Sequence, residues 1–156
     1  MSVDKSPIIN VKVRGYTGQG FGSGFIQRFT RGKASHVSLV FHMGHSVVEV
    51  EAIQGKGVIV HPPHTRATKT YHELSVPLTY EQVIDAHAFA MSVEGAKYDW
   101  LGVFSFALHR KKHSLNKFFC SELVALTLLK AGYPLSRREP YKESPASVVA
   151  SLRLLS

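Results

Sequence analysis

The chain contains a single cysteine, Cys120, among its 156 residues. One thiol cannot form a disulfide within the chain, so the sequence excludes the cross-linked scaffolds that stabilise many small secreted domains. Hydrophobic burial must then hold the fold, and 156 residues are enough for one domain with a substantial core. We therefore predict that residues 1–156 form a single domain.

The sequence also lacks a long apolar segment. No uninterrupted run approaches the roughly 20 residues that a membrane-spanning helix needs. The first seven residues have neither the basic start nor the apolar core of a signal peptide. We expect a cytoplasmic protein without a transmembrane segment.

Acidic residues are outnumbered. Nineteen Lys and Arg residues against eleven Asp and Glu residues give a formal net charge of +8. Such a surplus favours an anionic partner, for example a nucleic acid, an anionic lipid surface or an acidic wall polymer. No aromatic and basic motif typical of nucleic-acid recognition accompanies the charge, so we expect an anionic substrate or surface instead.

The first half of the chain is predicted to form mainly β-strands. Strands are predicted at residues 8–13, 36–41, 46–52, 57–61 and 71–76, and the second to fourth of these should form an antiparallel meander. Five glycines within residues 15–24 indicate a loop that leads into a short helix at 25–29. Their spacing matches neither a dinucleotide-binding nor a P-loop pattern.

Two of the later helices have clear start or stop signals. Thr79 and Gln82 have the spacing of a capping box, and Gly95 ends the helix that they begin. Within this helix, five residues recur at helical spacing and are predicted to form its buried face, namely Tyr80, Val83, Ile84, His87 and Met91. Residues 118–132 form a second helix, which Gly132 ends, and 145–152 form the last. The fold class is α+β, with an antiparallel sheet packed against a central helix that carries Cys120.

Cys120 occupies the first turn of the helix predicted at 118–132. There, unpaired backbone N–H groups and the positive end of the helix dipole favour a thiolate over a thiol. Most isolated cysteines are nevertheless buried and structural. A histidine partner elsewhere in the chain would make Cys120 a candidate nucleophile.

His36 at the start of a strand could take the thiol proton and later return it to a leaving group. Glu49 and Glu51 lie two residues apart on the next strand, so their side chains point to the same side. A hairpin turn at Met43 and Gly44 would bring Glu51 to about the level of His36, where its carboxylate could orient the ring.

Several motifs in this order resemble one family. They are SHVSLV at 35–40, VEA at 50–52, GV at 57–58, YDW at 98–100 and FCSELV at 119–124. Together, over about residues 8–132, they resemble the circularly permuted papain-like cysteine hydrolases of the NlpC superfamily. Within it the YiiX-like group, related to the lecithin-retinol acyltransferase type, is the most similar. The histidine precedes the cysteine here, as in the permuted branch.

The resemblance implies that Cys120 is the nucleophile, His36 the general base and Glu51 the residue that orients it. It also implies that Tyr98 lies beside the site, where its hydroxyl could help hold an oxyanion with the backbone N–H of Cys120. Glu122, in the first helical turn, is expected to stabilise the helix. Many relatives have glycine where this chain has Ser38.

The implied activity is hydrolysis of an amide, in a peptide or peptidoglycan-type substrate, through an acyl-enzyme intermediate. A lipid esterase, amidase or acyltransferase is the alternative, since the apolar stretch at 98–108 would suit an acyl chain, although it equally suits a core helix. A second alternative is a non-catalytic module that binds anionic ligands. No cofactor is required.

Metal binding is a weaker interpretation. Nine histidines include two pairs at the same spacing, His42 with His45 and His61 with His64. Such pairs could supply zinc ligands, but no second cysteine or His-Glu-x-x-His pattern supports them. We expect these histidines to lie at turns and strand ends, and no metal site.

Overall fold

The structure, a computed structural model, describes residues 8–17, 33–99 and 116–156. The helix predicted at 25–29 and residues 100–108 of the apolar stretch lie outside these ranges. The strands are β1 (Ile8–Tyr16), β2 (His36–Met43), β3 (Ser46–Ile53), β4 (Gly57–His61), β5 (Tyr71–Thr79), β6 (Lys97–Tyr98) and β7 (Lys117–Phe118). The α-helices are α1 (Tyr80–Ser92), α2 (Cys120–Lys130) and α3 (Pro145–Leu155), and Pro140–Lys142 form a 3-10 turn. The α+β class is confirmed.

Strands β1 to β5 form one antiparallel sheet in the order β4-β3-β2-β1-β5. The predicted meander of β2, β3 and β4 is confirmed, and its first turn contains Gly44 with a φ of 63°. A positive φ is a conformation that glycine adopts without steric cost. Strand β5 is longer than predicted and pairs with β1 over its whole length, from Ile8 opposite Thr79 to Tyr16 opposite Tyr71.

The two faces of the sheet differ in chemistry. Side chains alternate between the faces, so Val13, Leu39 and Val50, which lie opposite one another on three strands, share one face and belong to the hydrophobic core. Glu49 lies opposite Val40 on the other face, to which Arg14 and Ser38 also point. Five polar or charged residues of this second face are also buried, namely Arg14, His36, Ser38, Glu49 and Glu51.

Helix α2 lies in the middle of the fold, as predicted. Phe119 is its N-cap, and Gly132 follows its end with a φ of 74°. Eight of its eleven residues are buried, and it contacts β2, β3 and α1. Cys120 is therefore the first residue of a helix that the core holds on almost all sides.

Helix α1 begins as predicted but buries a different face. Thr79 Oγ1 accepts a hydrogen bond from Gln82 N–H, and the Gln82 side chain accepts one from Thr79 N–H, which completes the capping box. The buried residues are Val83, Ala86 and Ala90. Two members of the predicted face, Tyr80 and Ile84, are exposed, so that part of the prediction was wrong.

None of the helices in the described ranges has the length and apolar character needed to cross a membrane.

Candidate active site

The structure brings His36 and Glu51 into direct contact. His36 is the first residue of β2, and its Nε2 lies 2.5 Å from Glu51 Oε2 in β3. Leu39 pairs with Val50, so Glu51 stands across from Ser38 and reaches His36 diagonally. The carboxylate is 0% exposed and the ring is also buried, which shields their interaction from solvent.

Cys120 completes the group from the helix side. The charge of Cys120 and its hydrogen-bonding interaction with the ring are among the influences that raise the pKa of His36. The ring nitrogen of His36 that faces Glu51 is Nε2. The structure thus places Cys120, His36 and Glu51, the three residues predicted from the sequence, near one another.

The pKa values of His36 and Glu51 reflect this contact. Burial alone would lower the pKa of His36, but the charge of Cys120 and the hydrogen bonds to Cys120 and Glu51 raise it to about 9. Burial would raise the pKa of Glu51, but the hydrogen bond and charge of His36, with hydrogen bonds from His64 and His61, lower it to about 2. Near neutral pH the pair is an imidazolium beside a carboxylate.

Tyr98 also lies near the cysteine. Strand β6 runs parallel to β7 and pairs Tyr98 with Phe118, two residues before Cys120. Burial and the negative charge of Cys120, with a contribution from Asp99, raise the pKa of the Tyr98 hydroxyl. A neutral, half-buried phenol in this position is a hydrogen-bond donor close to the thiol.

A second polar cluster surrounds Glu49, which sequence reasoning did not assign. Its Oε1 accepts hydrogen bonds from the hydroxyls of Tyr16 and Ser38, the latter at 2.5 Å. Its Oε2 accepts bonds from the Arg14 guanidinium at 3.1 Å and the His64 backbone N–H at 2.9 Å. Ser38 thus has a buried hydrogen-bond partner. The alternation of Arg14 and Tyr16 along β1 was the available signal for this cluster.

His61 and His64 meet the carboxylate of Glu51. The Nε2 atoms of His61 and His64 lie 2.7 Å and 2.9 Å from Glu51 Oε1, the oxygen that His36 does not use. The two rings lie 4.6 Å apart between centroids, one at the end of β4 and the other in the following loop. The sequence offered their spacing as a signal, but it did not predict Glu51 as their common partner.

Within the described ranges, one group of three potential metal ligands was found, formed by Glu49, His61 and His64. Comparison of the chain with protein-family models and with curated proteins found no match. An assignment of function therefore depends on the chemistry of the side chains themselves.

Proposed function

We propose that the protein is a cysteine hydrolase that cleaves an amide bond through an acyl-enzyme intermediate. The observation that carries this proposal is the contact chain from Cys120 at the start of α2 through His36 to Glu51. A thiol, an imidazole and a carboxylate in this order are the groups that nucleophilic acyl transfer requires.

In the first half of the reaction, the Cys120 thiolate attacks the carbonyl carbon and forms a C–S bond. The electron pair of the carbonyl moves onto its oxygen and returns when the C–N bond breaks. The His36 imidazolium donates its proton to the departing amine, which leaves a neutral ring and a thioester. Glu51 stabilises the imidazolium and holds the ring through Nε2, while Nδ1 exchanges the proton.

In the second half, neutral His36 removes a proton from water as the water oxygen attacks the thioester carbon. The C–S bond then breaks, a carboxylic acid leaves, and the thiolate and imidazolium are restored. Both tetrahedral species carry a negative oxygen. The Cys120 backbone N–H at the start of α2 and the Tyr98 hydroxyl are the donors that we assign to it.

The chain order supports the finer assignment to the permuted papain-like hydrolases of the NlpC superfamily. The histidine strand, β2, precedes the cysteine helix, α2, and α2 packs on the antiparallel sheet at β2 and β3. We propose a peptide or peptidoglycan-type amide as the substrate class, since the net charge of +8 favours acidic wall fragments.

The first test is the rate at which iodoacetamide alkylates Cys120 as a function of pH, in the parent protein and in His36→Gln, with a chelator present. The small reagent suits a thiol that is only 3% exposed. An ordinary thiol reacts when it ionises at about pH 8.5, whereas a thiolate paired with an imidazolium reacts well below that pH. We expect fast alkylation at low pH in the parent and its loss in His36→Gln.

His45→Gln is the matched control, because His45 is exposed in the β2–β3 turn. It should leave the pH profile unchanged. Release of new amines from wall fragments, abolished in Cys120→Ala, would then identify the amide substrate. An alkylation profile that is the same in the parent and in His36→Gln would refute the proposal.

A further inference from the structure

We propose that His61, His64 and Glu51 form a binding site for a divalent transition metal of the zinc class. The site lies at the Oε1 atom of the Glu51 carboxylate, whereas His36 contacts Oε2. Two imidazole nitrogens and one carboxylate oxygen are a ligand set that zinc uses in proteins. The proposal goes beyond the proposed function and does not depend on it.

The hydrogen bonding of His61 requires a positive charge beside its Nε2 atom. Its Nδ1 lies 2.7 Å from the carbonyl oxygen of Pro62, which can only accept, so Nδ1 carries the hydrogen. In the neutral ring Nε2 then bears a lone pair, yet Nε2 lies 2.7 Å from the Glu51 oxygen, another acceptor. Only a cation between these atoms, a second proton or a metal ion, makes the contact favourable. A metal-binding histidine commonly donates its other N–H to a backbone carbonyl in this way.

The distances are close to those of a coordinated metal. Glu51 Oε1 lies 2.7 Å from His61 Nε2 and 2.9 Å from His64 Nε2. Ligand atoms at about 2.0–2.1 Å around a tetrahedral ion are separated by about 3.3 Å. Outward shifts of about half an ångström, within the reach of side-chain rotation, would admit the ion.

The surroundings favour a cation and permit its entry. The side chains of His61 and His64 are 19% and 25% exposed, so an ion can reach them from solvent. Glu49 also lies within 4.8 Å of both histidines. Each of its oxygens already accepts two hydrogen bonds, so we assign it the role of a nearby negative charge rather than a ligand.

The loop between the two histidines holds them in position. Pro62 and Pro63 separate them, and the fixed φ of proline limits the conformations of this link. The His64 backbone N–H donates to Glu49, and its carbonyl accepts a 2.7 Å hydrogen bond from Arg14. The backbone of His64 is thereby tied to the buried network before any metal binds.

The test is titration of the metal-free full chain with Co²⁺, observed by the visible absorption of four-coordinate cobalt, and with Zn²⁺ by calorimetry. We expect one ion per chain, and in His61→Gln/His64→Gln we expect binding to weaken about 100-fold or more. The matched control is His42→Gln/His45→Gln, which removes a pair with the same sequence spacing whose members are both exposed. The control and Cys120→Ala should bind as the parent does.

A second measurement needs no variant and so does not depend on the folding of one. Zn²⁺ should protect His61 and His64 of the parent from diethylpyrocarbonate, but not His42 and His45. The proposal is overturned if the parent binds no ion, if His61→Gln/His64→Gln binds it equally well, or if binding requires Cys120 or the control pair. These measurements do not depend on catalysis. Failure of the metal-site proposal would therefore not contradict the proposed hydrolase, and failure of the hydrolase proposal would not contradict the metal site.

Discussion

The buried pair of Glu49 and Arg14 should be a major contribution to stability. The Glu49 carboxylate is 0% exposed and accepts hydrogen bonds from Arg14, Tyr16, Ser38 and His64. Glu49→Gln keeps the shape but leaves the buried Arg14 charge with only the partly exposed Glu73 as a counter-ion. Removing one partner of a buried pair costs about 3–5 kcal/mol. With an m-value of about 2 kcal/mol/M, the urea midpoint should fall by about 2 M.

The same arginine provides the control. Glu73 lies 3.5 Å from the Arg14 guanidinium, but its side chain is 30% exposed, so Glu73→Gln should cost less than about 1 kcal/mol. Urea unfolding followed by circular dichroism measures both variants against the parent. Equal costs for Glu49→Gln and Glu73→Gln would refute the argument that burial makes the Glu49 contact strong.

Three further predictions concern the site and the sheet. Glu51→Gln should slow alkylation of Cys120 at about pH 6 roughly tenfold, because the carboxylate no longer stabilises the imidazolium; an unchanged rate would contradict the role of Glu51. The pKa of His36 is raised to about 9 from 6.5, so its protonation stabilises the fold fully below pH 6.5 and this contribution is lost as the pH rises through 9. Urea midpoints should therefore fall over this range, and fall less in His36→Gln; an equal fall in both would count against the pairing. Gly57→Ala should lower the melting temperature much more than Gly55→Ala. Both glycines have a positive φ, 82° at Gly57 and 80° at Gly55. A Cβ at Gly57 would lie 2.2 Å from a backbone carbonyl oxygen, whereas a Cβ at Gly55 would lie in open space.

The helix that carries the cysteine could be predicted because its signals are local. Its largely apolar sequence, the position of Cys120 in the first turn and the stop at Gly132 depend only on neighbouring residues. The structure confirms the helix, the position of Cys120 and the stop. The capping box at Thr79 and the turn at Gly44 were predictable for the same reason.

The buried face of α1 could not be predicted from residue type. Spacing favoured the large side chains of Tyr80 and Ile84, yet the structure buries Ala86 and Ala90 instead. Small residues let the helix approach its neighbours closely, and the neighbours, not the helix itself, decide which side faces them.

By itself the sequence determined the α+β class, the meander of β2 to β4, and a cysteine at a helix start with a histidine at a strand start, since each follows from local periodicity, turn residues and caps. Only the tertiary structure decided that β5 pairs with β1 and that Glu51 is shared between His36 and the histidines of the β4 end, His61 and His64. These contacts join residues distant in sequence, and strand order and register, which local sequence does not encode, set the distances between them.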